Sequence, residues 1–156
     1  NLLQLDLIRT ADSIGMYAAI GSEVDPGSLF PELRRMGKPV SFPKVRASGK
    51  NVEMDYFSVD NSGNLDRGFK GILEPQGDGD ITYPAVLIVP GVAFSRDFSR
   101  LGYGGWTYDR YIANCSPRPL LIGITFADTL VDSLPREAHD WTMDAVVTED
   151  GQFMRP

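Results

Sequence analysis

A chain of 156 residues, 42% hydrophobic and 23% charged, has the size and make-up of one globular domain, which runs to ~100–200 residues. Its formal net charge of −6 argues against a nucleic-acid backbone or an anionic membrane surface as partner, because both recruit clustered Lys and Arg. One cysteine and one histidine rule out an intrachain disulfide and a zinc site of Cys/His type, which points to a reducing, cytoplasmic setting, and no apolar run reaches the ~20 residues of a bilayer span.

Residues 1–9 read as a short amphipathic piece, the end of a helix. The opening shows no charged-then-apolar leader pattern, so no signal peptide is expected. Its abruptness suggests a single domain over residues 1–156 that lacks its N-terminal helix. Residues 13–20 are an apolar run of strand length. Residues 26–36 place Leu29, Phe30, Leu33 and Met36 at helical spacing, with Asp25 and Pro26 as starting signals and Gly37 as the stop. A short strand follows at 39–43, and residues 52–57 alternate apolar and polar as a half-buried strand does.

Order weakens over 60–83, where Asn61-Ser62-Gly63-Asn64 and Gln76-Gly77-Asp78-Gly79-Asp80 have loop composition. Residues 85–90, 120–126 and 144–148 are uninterrupted apolar runs, as in strands covered on both faces of a parallel sheet. Between the first two lie a glycine-rich stretch at 100–105 and a helical stretch at 106–113. Strands separated by helices or long crossovers imply an α/β fold built on a parallel sheet.

In such sheets ligands gather at the carboxyl ends of the strands. Arg100-Leu101-Gly102-Tyr103-Gly104-Gly105 stands just there, after the 85–90 strand and before a helix. Glycines at a helix start let backbone N–H groups approach an anion, and Arg100 adds a guanidinium. By spacing alone such a cluster is a tight turn more often than a phosphate cradle, and it matches neither Walker A nor the dinucleotide fingerprint. Asp109 beside an anion implies either a bridging cation or a surface ion pair with Arg110 or Arg118. Asp140 is a second carboxylate, and sequence spacing does not show whether the two meet. Glu23 suits either a helix-dipole contact or the N–H groups of a heteroaromatic ligand. His139 reads as a general base or a surface residue, and Cys115 as inert. Tyr103, Trp106, Tyr108 and Tyr111 are either core or the lining for a flat ligand.

Several blocks in order resemble the 5-formyltetrahydrofolate cyclo-ligase (methenyltetrahydrofolate synthetase) family. They are Tyr17-Ala18-Ala19 with Glu23-Val24-Asp25, Arg35-Met36-Gly37-Lys38-Pro39-Val40, Gly71-Ile72-Leu73-Glu74-Pro75, and Pro90-Gly91-Val92-Ala93-Phe94 running into 100–105 and Tyr108-Asp109-Arg110-Tyr111. Gly123-Ile124-Thr125-Phe126, Leu134-Pro135, His139-Asp140 and 144–149 complete the likeness, which covers about 13–151. Trp106 and Thr107 stand where the family has a glycine and an aromatic residue.

The resemblance implies a three-layer α/β/α fold with a mainly parallel sheet, Rossmann-like and CoA-transferase-like. It implies conversion of 5-formyltetrahydrofolate to 5,10-methenyltetrahydrofolate with ATP as co-substrate and Mg²⁺ as cofactor, releasing ADP and phosphate. Arg100 and Asp109 would be catalytic. Arg100, Leu101, Gly102, Tyr103, Gly104, Gly105, Trp106, Thr107 and Tyr108 would bind the nucleotide. Ala18, Glu23 and residues Tyr103 to Thr107 would contact the folate, and Asp109 and Asp140 would hold the metal. The expected partners are these small molecules, with no nucleic acid or membrane, and the expected state is a monomer or weak dimer. The alternative is a paralogue of the same fold that binds a nucleotide or pterin-like ligand without this activity.

Overall fold

The computed structural model describes residues 2–48, 51–77, 79–105 and 107–156. A 3-10 turn leads into α1 (Asp6–Thr10), β1 (Ile14–Gly15), α2 (Phe30–Arg35), β2 (Val40–Ser48) and β3 (Asn51–Ser58). Short strands follow, β4 (Leu65–Arg67), β5 (Leu73–Pro75) and β6 (Ile81–Thr82), then β7 (Val86–Val89), β8 (Ala93–Ser95) and β9 (Arg100–Leu101). The chain continues through α3 (Thr107–Asn114), β10 (Leu120–Ile124), β11 (Leu130–Val131), β12 (Ala145–Val147) and β13 (Gln152–Met154).

The main sheet has eight strands in the order β13-β12-β10-β7-β1-β2-β3-β6. Its middle, from β12 to β2, is parallel, and antiparallel strands flank it on both sides. Three of the parallel strands, β7, β10 and β12, come from the uniformly apolar runs. Successive side chains point to opposite faces, so Val86 and Ile88 join Ile8, Met16, Phe30 and Leu33 in one buried cluster. Leu87 and Val89 join Phe94, Tyr111 and Ile112 in a second cluster on the other face. Ile122 against Leu121, and Ala145 against Val146, split in the same way. A run with no polar member is what two covered faces demand.

Three details depart from the simple reading. The apolar run at 13–20 makes only a two-residue strand, because its neighbours on both sides pair with Ile14 and Gly15 alone. One more bond, from Met16 N–H to the Ser41 carbonyl at 2.8 Å, ends the ladder. The chain then turns over the carboxyl end of the sheet, where the Tyr17 hydroxyl donates to the Val24 carbonyl at 2.5 Å. The 26–36 helix is split into a 3-10 turn at Gly27–Leu29 and α2, with Pro31 in the first turn of α2, where a missing N–H goes unnoticed. Asp25 Oδ1 accepts the Gly27 N–H at 2.8 Å ahead of that turn, and Gly37 leaves the helix with φ +74. The third departure is a three-stranded sheet β11-β8-β9 and a β4–β5 hairpin beside the main sheet. Their two- and three-residue strands carry no periodicity of their own.

Candidate active site

Parallel strands align their carboxyl ends, so β1 and β7 deliver chain to one cavity of about 600 Å³, and β9 joins it from the small antiparallel pairing with β8. Tyr17, Ala18 and Glu23 come from the segment after β1, and Pro90 follows β7. Arg100 and Leu101 of β9 lead to Gly102, Tyr103, Gly104 and Gly105, and then to Thr107, Tyr108 and Asp109 on α3. Asp140 enters from the loop before β12. Thus the residues that the resemblance assigns to the site line a single cavity, apart from Trp106, which lies outside the described residues; His139 and Tyr111 do not line it. The connection between the loop carrying Asp140 and the glycine-rich loop, invisible in the spacing, is made by Trp141. Its backbone N–H approaches Asp109 Oδ1 at 3.4 Å, and its indole N–H donates to the Asp109 carbonyl at 3.2 Å.

The electrostatic centre of this wall is an ion pair. Arg100 Nη2 donates to Asp109 Oδ2 at 2.5 Å, with both side chains only 9% exposed. Arg100 Nη1 also donates to the Pro90 carbonyl at 3.3 Å, and its guanidinium stands 5.8 Å from the Tyr108 ring centre. Burial pushes the Tyr108 phenol up, while Arg100 acts in the opposite sense. Gly104 turns the loop with φ +79 and has open space on its side-chain face, a conformation that only glycine adopts at low cost. The loop therefore presents backbone to the cavity immediately before α3.

In the same lining, Glu23 Oε2 accepts the Ile20 N–H at 2.9 Å. Burial raises its carboxyl above the usual range, against the lowering effect of that hydrogen bond. The Tyr17 phenol is pushed up mainly by burial, with Glu23 adding to it. Two carboxylates, Asp109 and Asp140, reach the cavity from one side. Asp140 Oδ2 accepts the Glu137 N–H at 2.7 Å. Among the described residues no group of three or more His, Cys, Asp or Glu is placed to hold a metal unaided.

The structure adds residues that sequence reasoning left without a role. Pro43 and Val45 of β2, Met54 of β3, and Phe69, Lys70, Ile72 and Glu74 from the β4–β5 hairpin line the cavity, as do Pro135, Arg136 and Glu137. Glu74 is 6% exposed, and its Oε1 accepts the Val45 N–H at 3.0 Å. Its other oxygen occupies the space over Gly68, where a Cβ would sit 2.0 Å away. A carboxylate in a strand-like Leu-Glu-Pro segment was the available signal. His139 is exposed, 3.6 Å from both Glu137 Oε2 and Asp140 Oδ1. Cys115 donates to the Tyr111 carbonyl at 3.3 Å, and burial pushes its thiol up, away from reactivity. Of the four aromatics, Tyr111 is core, Tyr108 joins core to cavity and Tyr103 is exposed at the cavity.

A family model described as the 5-formyltetrahydrofolate cyclo-ligase family matches residues 1–149. The 5-formyltetrahydrofolate cyclo-ligase of Escherichia coli is 31% identical over 145 residues, spanning 88% of this chain and 78% of that protein. The mouse protein of that name is 24% identical over 154 residues, spanning 91% and 75%. The solved structure of Aquifex aeolicus 5,10-methenyltetrahydrofolate synthetase is similar with a TM-score of 0.84 at 31% identity, covering 99% of this chain and 77% of that one. A Mycoplasma pneumoniae 5,10-methenyltetrahydrofolate synthetase, 19% identical with a TM-score of 0.66, shares the fold.

Proposed function

The chain belongs to the 5-formyltetrahydrofolate cyclo-ligase family, and from that premise we propose that its cavity converts 5-formyltetrahydrofolate to 5,10-methenyltetrahydrofolate at the expense of ATP. The observation that carries this reading is the meeting of two kinds of lining in one cavity. A glycine-rich loop with Arg100 and a part-buried carboxylate, Glu23, line the same space. The first suits phosphate and the second suits the N–H edge of a pterin.

The chemical difficulty is the formyl oxygen, a poor leaving group. Transfer of the ATP γ-phosphoryl to that oxygen gives an iminium phosphate and ADP. Attack by N10 on the same carbon closes the ring; the N10–H proton is lost and the bond from that carbon to the phosphate oxygen breaks, so that hydrogen phosphate leaves. The loop's N–H groups and Arg100 hold the phosphates and spread the developing charge. Glu23 anchors the bicycle, with Ala18 beside it, so that the formyl oxygen lies toward the nucleotide. Asp109 orients the Arg100 fork through their ion pair.

Mg²⁺ binding usually combines one or two carboxylates with phosphate oxygens. Asp109 and Asp140 line the cavity on the loop side, so they fit that donor set with the nucleotide completing it. They would hold the ion, which neutralises phosphate charge when bound. We read the architecture as three-layer and Rossmann-like, on the strength of the apolar clusters covering both sheet faces, and the whole chain as one domain. The test is direct. Purified protein is incubated with 5-formyltetrahydrofolate and Mg-ATP, and methenyl absorbance is followed with ATP omitted as control. ATP-dependent product formation is expected, and its absence at high enzyme concentration refutes the proposal.

A further inference from the structure

We infer that Lys70, on the turn between β4 and β5, forms a subsite for the carboxylate tail of the folate substrate; this rests on the reaction proposed above. The substrate has two unlike ends. One is a pterin with N–H donors, and the other is a benzoyl ring ending in glutamate carboxylates. With Glu23 placed for the pterin and the glycine-rich loop for phosphate, the remaining wall beside the hairpin is that of Pro43, Val45, Met54, Phe69 and Ile72, with the Glu74 carboxylate engaged by the Val45 N–H. It is apolar, as a benzoyl ring requires, and it carries one cation, Lys70.

Two other cations line the cavity. Arg100 is bound to Asp109, and Arg136 comes from the 135–140 segment that also carries Asp140. The Lys70 ammonium has no carboxylate within ion-pair distance among the described residues, and its recorded contact is the Phe69 ring at 5.4 Å. The side chain is held at the cavity by an unusual backbone. Lys70 has φ 55, the left-handed region that non-glycine residues seldom occupy. The surroundings over-determine that turn. Gly68 N–H bonds the Ile72 carbonyl at 2.8 Å, and Glu74 fixes the hairpin to the edge of β2 through the Val45 N–H. A strained lysine on an anchored turn, beside an aromatic and open to the cavity, is arranged for an anion.

The test compares 5-formyltetrahydrofolate with 5-formyltetrahydropteroate, the same molecule without its glutamate, by calorimetric titration in the absence of ATP. Wild type is expected to bind the glutamate form about three- to tenfold more tightly, the range of a partly exposed charge pair. High salt should shrink that gap. Lys70→Gly removes the ammonium while easing the left-handed turn, and it should erase the gap; Lys70→Arg should keep it. A gap that survives Lys70→Gly, or equal weakening of both ligands, overturns the subsite, as does a wild type that binds neither. Turnover is read separately. A wild type that binds both ligands with the expected gap but forms no methenyl product refutes the proposed reaction and leaves the tail subsite standing.

Discussion

Replacing Asp109 by asparagine isolates one charge at the centre of the site. The amide keeps an oxygen for the Trp141 N–H, while the Arg100 guanidinium loses its counter-charge. Both side chains are 9% exposed, so solvent screens the loss little. Removing one partner of a buried pair costs about 3–5 kcal/mol. In a domain of this size each kcal/mol moves the melting temperature by about 2–4 °C, so Asp109→Asn should melt roughly 6–20 °C lower. The partner experiment is Arg100→Met with Asp109→Leu. An apolar pair of similar volume should recover most of the melting temperature, because the desolvation cost goes with the charges, yet activity should stay lost. Thermal unfolding by circular dichroism reads both variants, with turnover measured well below their melting points. If Asp109→Asn melts within about 2 °C of wild type, the buried-pair argument is wrong. This design also separates two roles. Lost activity in Asp109→Ala is expected from the broken ion pair alone, whereas a changed dependence of ATP affinity on Mg²⁺ concentration speaks to metal binding.

Gly104→Ala meets no atom within 4 Å but keeps φ +79, so the strain of about 1–2 kcal/mol falls on the loop; the KM for ATP should rise severalfold, and an unchanged value would remove the loop from the nucleotide site. Gly68→Ala puts a Cβ 2.0 Å from Glu74 Oε2 and should displace that carboxylate from the Val45 N–H, at a cost of about 1–3 kcal/mol seen as a lower urea midpoint. Glu23 has a raised carboxyl, so its ionised form is disfavoured on folding. That penalty is absent below the unfolded value, grows as the pH rises past it, and is complete above the folded value. Glu23→Gln should therefore be at least as stable as wild type at neutral pH, with any advantage fading in acid. Its folate KM should be high and flat with pH, while that of wild type climbs as the pH falls through the raised Glu23 value. A wild-type KM that ignores pH there would show that Glu23 does not hold the pterin.

The parallel centre was legible because β7, β10 and β12 are apolar on both faces, and α3 because glycines mark its start. The length of β1 was not legible. Residues 13–20 have strand composition throughout, but partners at Val40–Ser41 and Val86–Leu87 decide how much of it pairs. Strands such as Arg100–Leu101 exist only through the neighbour that Ala93–Phe94 supplies. The same division holds at the site. Arg100, Asp109, Glu23 and Asp140 stood out through a family resemblance spread along the chain. Lys70 and Glu74 did not, since a lone lysine in a loop-like stretch and a glutamate before a proline acquire meaning only from where the hairpin packs.

The position of β1 also dictates how the molecule must come together. The first strand in the chain lies in the middle of the sheet, with Ile14 paired to both Val40 and Val86. During synthesis, β1 to β3 can pair early, β1 parallel to β2 and β3 antiparallel to it, but one edge of β1 stays open until β7 has been made. The next neighbour, β10, arrives later still. Such non-local zipping slows folding and leaves an adhesive edge exposed meanwhile. A fragment ending before residue 86 should therefore associate with itself, and the cavity should be among the last features to take shape, since it waits for the loop that bears Asp140.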